Sequence, residues 1–306
     1  MRARSDHVQA VYDAVASQWH GTRYKAWPRV ERFIHELPPS ALVADLGCGN
    51  GKMAPASQAA GHYAIGCDFS FELTRIAGLQ MGLQAQAADV MLLPYRSGVY
   101  DAALSIAVLH HVSTAARRRL LVLETLRVLR QGGLALFYAW AAEQSEGRSG
   151  HAFDASDVFV AFHNRVPPSD KGKRTARAGG AQGGSSGQHE AGSDGGSCGA
   201  SMAASAADGI PAAADGIPAL EARGGTYDAA KNAVVFQRYC HVYREGELRE
   251  LILSVGGADV LDEYYDTGNW CILVRKQHYN GGASSAADPD NDAAGATHAT
   301  SALRLS

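Results

Sequence analysis

Apolar positions along this chain come in short blocks whose spacing switches between a helical and a strand period. PRVERFIHEL (28–37) puts Val30, Phe33, Ile34 and Leu37 on one helical stripe, and Pro28 suits the first turn. ALVADLG (41–47) and HYAIGCD (62–68) read as short buried strands. LQAQAADV (83–90) reads as a weaker third, YDAALSIAVL (100–109) as a fourth and LALFYAWA (134–141) as a fifth. Between them, Ser70 is placed to cap a helix over FELTRIAGLQ. Ser113 is placed to cap TAARRRLLVLETLRVLRQ, which should end at Gly132-Gly133. Later, GELRELILSVG predicts a helix. ADVLDEYYDTGNWCILVRK predicts two strands joined by a turn at Thr267-Gly268-Asn269. Strands separated by helices imply a doubly wound, mostly parallel α/β sheet. The terminal hairpin makes its last strand antiparallel.

Two stretches break the pattern. From about 168 to 230 the chain is Gly, Ala, Ser and charge, with the near-repeat AADGIPA, and the tail from 277 to 306 is similar. Such composition buries too little apolar surface to offset chain entropy. The expectation is one domain over 1–276, interrupted by a disordered insertion at about 168–230 and followed by a disordered tail.

Apolar residues make up 46% of the 306, enough for a substantial core, and the net charge is −3. Proteins that grip nucleic acid unaided are usually basic, so an RNA substrate would need a local positive surface or a partner. The cysteines at 48, 67, 198, 240 and 271 form no CxxC pair, which points to neither a metal site nor a redox motif. No apolar run reaches membrane-spanning length, and the N-terminus has no apolar signal core. A soluble intracellular protein is expected, in the cytoplasm and also the nucleus.

The stretch DLGCGNGK (45–52) carries the chemistry. A glycine-rich turn after a buried strand lets the backbone approach a ligand, and the helix that follows offers free N–H groups. The dinucleotide pattern G-x-G-x-x-G fails: counted from Gly47 the third glycine falls on Lys52, and counted from Gly49 it falls on Ala54. The Walker pattern fails as well, since Met53 follows Gly51-Lys52. S-adenosylmethionine fits better. Asp45-Leu46-Gly47-Cys48-Gly49 forms the turn for its methionine end. Asp68, ending the second strand, suits the ribose diol, and Asp89, ending the third, suits the adenine.

TRYKAWP, DLGCGNGK, GCDFS, SIAVLHHVST-AARRR, YAWAAEQ, RYCHVYREGEL and YYDTGNWCILVRK together resemble the eukaryotic wobble-uridine tRNA methyltransferases. The similarity is to the stand-alone form and to the methyltransferase domain of the AlkB-homologue fusion, over about 8–163 and 233–276. It implies a class I S-adenosylmethionine-dependent methyltransferase fold, Rossmann-like, with a seven-stranded, mostly parallel sheet. It also implies formation of the methyl ester of 5-carboxymethyluridine at the tRNA wobble position. The partners it implies are tRNA and a small zinc-bearing activator subunit that covers an apolar surface beside the third strand; Met91, Leu92 and Leu93 are candidates for that surface or equally for ordinary core. No metal site is expected in the chain itself. Two other readings share the pocket motif: a small-molecule methyltransferase, and a non-catalytic relative that binds cofactor or tRNA.

The residues expected at the cofactor are Tyr12, Asp45, Gly47, Cys48, Gly49, Asn50, Gly51, Asp68, Asp89, Val90 and Ala107. Tyr12 is expected on an N-terminal helical lid. Arg23, His110 and His111 are assigned to the reaction. A carboxylate nucleophile is already ionised and needs no base, so a histidine there positions the substrate, and Arg23 holds the carboxylate by a two-oxygen fork. Trp27, Trp140, Asn269 and Trp270 are candidates for the substrate base, as stacking platforms or core aromatics. Arg117-Arg118-Arg119 and Lys171, Lys173, Arg174 and Arg177 could meet phosphates or simply stay solvated.

Overall fold

The structure is a computed structural model and describes residues 8–22, 26–144, 153–166 and 217–278. A seven-stranded sheet forms its centre. It is built from β1 (Leu42–Leu46), β2 (Tyr63–Asp68), β3 (Gln84–Ala87), β4 (Tyr100–Ile106), β5 (Leu129–Trp140), β9 (Ala258–Asp266) and β10 (Asn269–Lys276), in the order β3-β2-β1-β4-β5-β10-β9. β1 to β5 pair in parallel, whereas β10 runs antiparallel to both β5 and β9. The expected mostly parallel sheet with an antiparallel last strand is present. Strand order reverses at β1/β4, which puts the ligand crevice at the carboxyl ends of those strands.

The helices of the described residues are α1 (Ala10–Thr22), α2 (Pro28–His35), α3 (Ala54–Ala59), α4 (Phe71–Met81), α5 (Ala115–Val128), α6 (Ile217–Ala222) and α7 (Glu247–Val255), with α5 and α7 on one face of the sheet and α2 on the other. Alternation along the strands divides the core. Ala44, Leu46, Ala103, Phe137 and Ile272 pack with Leu121, Val122 and Leu126 of α5 and Leu248 and Ile252 of α7. Val43, Leu104, Leu136 and Tyr138 pack with Val30, Phe33 and Ile34 of α2 on the other face. The stripe read from PRVERFIHEL is the buried face of α2, although Leu37 lies just past the helix end. Ser70 caps α4 as expected, its Oγ accepting from the Leu73 amide.

Local competition moved several boundaries. Thr114, not Ser113, caps α5, its hydroxyl accepting from the Arg117 amide at 3.3 Å. Ser113 Oγ instead accepts from the Arg117 guanidinium. The helix stops at Val128 rather than at the glycine pair, because Leu129 already pairs with Tyr100 across a bulge. Gly132 and Gly133 therefore sit inside β5. β4 ends at Ile106, and Leu109–His111 form one 3-10 turn. The β9–β10 turn is two residues, Thr267 and Gly268, both at positive φ, and Asn269 already pairs with Asp266.

A second, three-stranded antiparallel sheet was not anticipated. It is ordered β6-β8-β7, from β6 (Asp157–Arg165), β7 (Thr226–Asp228) and β8 (Ala233–His241). Residues 217–230, assigned above to a disordered insertion, in fact form α6 and β7, with Leu220 buried against Val11, Val15 and Phe236. The rest of that insertion and the tail beyond His278 lie outside the described residues. α1 joins the two sheets. Val11 and Val15 face the small sheet, while Ala16 packs on Leu73 and Ile76 of α4. The helix thus roofs the carboxyl ends of β1 and β4.

Candidate active site

Under that roof lies a cavity with two walls. One is the glycine loop after β1 with the end of β2: Gly47, Cys48, Gly49, Asn50, Lys52, Asp68 and Phe69. The other is the segment after β4 with the end of β5 and one residue of β8: Ala107, Val108, His110, His111, Trp140 and Arg238. Val8, Tyr12 and Trp19 close it from above, and Val90 and Trp27 border it.

The loop is shaped by its neighbours. Gly47 has φ +80°, and a Cβ there would lie 2.3 Å from Val108 Cγ2. Gly49 also has positive φ, +55°, but nothing lies within 4 Å of where its Cβ would be. Open space over a backbone turn is what close approach by a ligand needs. The Gly49 amide donates to Asp68 Oδ2 at 2.9 Å and the Ser70 amide to Oδ1 at 2.8 Å. Asp68 therefore faces the cavity with fixed orientation and spare lone pairs. Burial pushes its carboxyl above the usual carboxylate range, against those two hydrogen bonds. Asn50 Nδ2 and His20 Nδ1 meet at 3.1 Å, tying the loop to α1. Ala107 sits at φ +63° in the left-handed region, a strained backbone that turns the chain into the 3-10 segment.

The histidine wall is a hydrogen-bonded chain. His111 Nδ1 lies 3.0 Å from the Tyr239 carbonyl, which can only accept, so Nδ1 carries the proton. Nε2 meets the Tyr12 hydroxyl at 2.7 Å. Arg238 Nη1 donates to the same Tyr12 oxygen at 3.4 Å. His110 stacks on Trp140, centroids 4.9 Å apart, and its Nδ1 accepts from the Trp140 amide. Burial first, then His111, Arg238 and His241, hold its imidazole well below the ordinary histidine range, so it stays neutral. Both histidines line the cavity.

Most of the expected site assembles: Tyr12, Trp27, Gly47, Cys48, Gly49, Asn50, Asp68, Val90, Ala107, His110, His111 and Trp140 all line the cavity. Five residues do not. Asp45 is buried beneath the loop; its Oδ2 has no hydrogen-bond partner, and burial pushes its carboxyl up to about 7. Gly51 packs against Ala77 of α4. Asp89 closes its own turn, accepting from the Met91 amide. Asn269 holds the hairpin turn by donating to the carbonyls of Asp266 and Thr267. Trp270 donates to Glu143 and packs edge-on against Tyr265. Neither Asn269 nor Trp270 borders the cavity. Arg23 and the basic run from Lys171 to Arg177 lie outside the described residues. Arg117 and Arg118 turn back to Ser113 and the Val112 carbonyl. The expected apolar patch divides: Leu93 is core, Met91 half-buried and Leu92 78% exposed.

Sequence reasoning missed Lys52 and Arg238. Lys52 Nζ lies 4.5 Å from the centre of the Trp27 ring. Arg238 had a readable signal: in AVVFQRYCH it falls on the inward register with Val234, Phe236 and Cys240. An arginine on the inner face of a strand needs a reason.

The donor set fits S-adenosylmethionine. Asp68 can accept a diol, open space lies over Gly49, and an orphaned carboxylate oxygen on Asp45 sits beneath the loop where a cation would be stabilised. Among the described residues no cluster of His, Cys, Asp or Glu is arranged to hold a metal ion, and no helix is long and apolar enough to cross a membrane.

Residues 44–137 match the methyltransferase domain family. The chain is 34% identical over 281 residues to the tRNA (carboxymethyluridine(34)-5-O)-methyltransferase of Schizosaccharomyces pombe, covering 89% of this chain and 97% of that protein. It is 32% identical over 300 residues to the protein of that activity called ALKBH8 in Macaca fascicularis, covering 90% of this chain but only 44% of the relative. An Arabidopsis thaliana protein of the same name is 30% identical, with 90% and 81% covered. Among solved structures, an S-adenosylmethionine-dependent methyltransferase from Clostridium acetobutylicum superposes with a TM-score of 0.51 at 12% identity, covering 88% of this chain and 97% of that one.

Proposed function

Because this chain belongs to the tRNA (carboxymethyluridine(34)-5-O)-methyltransferase family, we propose that it converts the carboxylate of 5-carboxymethyluridine at the tRNA wobble position to its methyl ester, with S-adenosylmethionine as donor. One observation supports this reading most. The Asp68-anchored glycine loop faces a wall of two histidines, Trp140 and one buried guanidinium across a single cavity.

The chemistry asked of the protein is mostly placement. S-adenosylmethionine, when bound, supplies a methyl group on a positively charged sulfur that becomes a neutral thioether when the methyl leaves. Asp68 orients the donor from the loop side. The accepting carboxylate is already ionised near neutral pH, so no side chain has to remove a proton. The site agrees with that requirement, since His110 is held neutral and His111 has both nitrogens engaged. His110 and Trp140 form a flat stacked pair against which a uracil ring can lie. The aromatic roof of Tyr12 and Trp19 keeps water away from the reacting atoms.

The same reading includes the small zinc-bearing activator subunit. β3 pairs only with β2 among the described residues, leaving its outer edge free, and Leu92 stands exposed in the segment that follows it. An open edge with an exposed apolar side chain is a natural docking strip.

The test is direct. Purified protein is incubated with labelled S-adenosylmethionine and tRNA bearing free carboxymethyluridine, with and without the activator, and the nucleosides are resolved by mass spectrometry. Methyl ester at the wobble nucleoside is expected, in higher yield with the activator. Cofactor binding without ester in either mixture would overturn the proposal.

A further inference from the structure

Arg238 is a buried cation without an anion. It is 5% exposed, its Nε has no hydrogen-bond partner, and among the described residues no carboxylate pairs with it. Nη1 reaches only the Tyr12 oxygen, and at a long 3.4 Å. Around the guanidinium stand three rings, Phe162, Trp19 and Trp140, with centroids 5.2, 5.6 and 5.8 Å from Cζ. Cation–π contacts of this kind contribute about 0.5–2 kcal/mol each. An unpaired buried charge costs several kcal/mol in desolvation. The rings soften that cost without removing it, so the pocket is built for an anion that arrives with a ligand.

Two anions could arrive: the carboxylate that accepts the methyl group and the carboxylate on the methionine end of the donor. The surroundings favour the first. Arg238 stands on β8, on the wall that holds His111 through the Tyr239 carbonyl, and its contacts are with Tyr12, Trp19, Trp140 and Phe162. None belongs to the glycine loop. The loop wall carries its own cation, Lys52.

We propose that Arg238 binds the carboxylate of the substrate nucleoside with its planar fork and makes the enzyme select the free acid over neutral analogues. This rests on the methyl-ester function proposed above. A planar guanidinium matches two carboxylate oxygens at once, which an ammonium cannot do. Held beside the His110–Trp140 stack, the carboxylate has one allowed orientation, and alignment of that kind is a large part of a displacement barrier.

The experiment compares wild type, Arg238→Met and Arg238→Lys. Each is titrated with S-adenosylhomocysteine, and with two anticodon stem-loops identical except at the wobble base. One carries the carboxymethyl group and the other its carboxamide. Wild type should bind the acid about 10-fold or more tighter than the amide, the range for a charge-assisted hydrogen bond. Arg238→Met should bind both alike, with affinity for S-adenosylhomocysteine within about 2-fold of wild type. Arg238→Lys should recover part of the preference, and it carries the test if the methionine variant does not fold. Undiminished acid preference in the methionine variant, or in the lysine variant if only that one folds, would overturn the proposal. A matching loss of S-adenosylhomocysteine affinity would also overturn it, since Arg238 would then serve the donor. Ester formation by wild type is measured alongside. If the acid stem-loop and the activator yield no ester, the function itself fails, and that result is separate from any change at Arg238.

Discussion

The Tyr12 hydroxyl and His111 Nε2 share a hydrogen bond of 2.7 Å, linking a roof helix to the turn after β4 over 99 residues of chain. His111 is pinned at its other nitrogen by the Tyr239 carbonyl, so α1, the central sheet and β8 meet at one imidazole. Tyr12→Phe keeps the ring packed edge-on to Trp19 and His111 but removes the link. The loss should cost about 1 kcal/mol in folding stability. It should cost more in turnover, about 10- to 100-fold in kcat/KM, because α1 also closes the cavity. Urea unfolding beside methylation kinetics checks both. Equal, small changes would mean that the link is merely structural.

Asp45 gives the protein a pH dependence with a definite sign. Its carboxyl is pushed up to about 7, mainly by burial and partly by Asp68, while Lys52 pulls it down. A folded-state value above the unfolded one means that the native protein holds the proton longer. Its contribution to stability is full below about 4 and is lost as pH rises from there to about 7. A rise of about 3 units corresponds to at most about 4 kcal/mol. Asp45→Asn should therefore flatten the stability profile over that range and raise stability at pH 8. Binding a cationic donor should release the Asp45 proton, so wild-type affinity should increase through pH 7 and that of Asp45→Asn should not. Calorimetry in buffers of different ionisation heat reads the proton directly. Identical proton release by wild type and variant would refute the linkage.

The two loop glycines should separate folding from binding. At Gly47 a methyl group would overlap Val108 at 2.3 Å as well as strain a positive φ, so Gly47→Ala should destabilise by about 2–4 kcal/mol. At Gly49 the space is open and only the φ strain of about 1–2 kcal/mol applies. Gly49→Ala should fold, yet lose about 10-fold or more in cofactor affinity because the added carbon occupies the approach over the loop. Thermal melts with and without S-adenosylhomocysteine distinguish them. A Gly49→Ala protein with unchanged ligand-induced stabilisation would refute the role of that open space.

The central sheet was legible because its strands are apolar runs bounded by turn signals; the stripe in PRVERFIHEL and the Ser70 cap read off directly. The loop and Asp68 followed from strand ends, since a doubly wound sheet presents its site there, and the two histidines from the family resemblance in SIAVLHHVST. Boundaries set by pairing were not legible. Nothing local says that Leu129 will leave a helix to pair with Tyr100. The small sheet was hidden because β6 and β8 are separated by the low-complexity insertion, and neither has a local signal for its partner. Arg238 offered only its inward register in AVVFQRYCH as a signal, and that register points to a site only once β8 is known to lean over the cavity. Asp89 and Asn269 misled because a polar residue at a strand end serves equally well to close a turn.

Arg127 should control the loop that joins β3 to β4, which carries Val90 at the cavity and exposed Leu92. Its guanidinium is gripped by Glu124 at 2.6 and 2.8 Å and donates to the carbonyls of Tyr95 and Leu93 and to Ser97 Oγ. Glu124 in turn accepts from the Leu93 amide. The guanidinium beside it holds the Glu124 carboxyl below the usual range, so this contribution is present above about 4.5 and is lost as pH falls through the lowered value. Arg127→Lys keeps the charge but lacks the five fixed donors that reach three loop positions at once. It should cost about 1–2 kcal/mol, and Arg127→Ala somewhat more. A double-mutant cycle with Glu124→Gln should show coupling of about 1–2 kcal/mol, well above that of an ordinary exposed pair. Hydrogen exchange should speed at the amides between Met91 and Gly98 while β4 stays protected. Coupling near zero, or faster exchange spread evenly over β4 and α5, would show that the arginine supports the fold in general and not this loop.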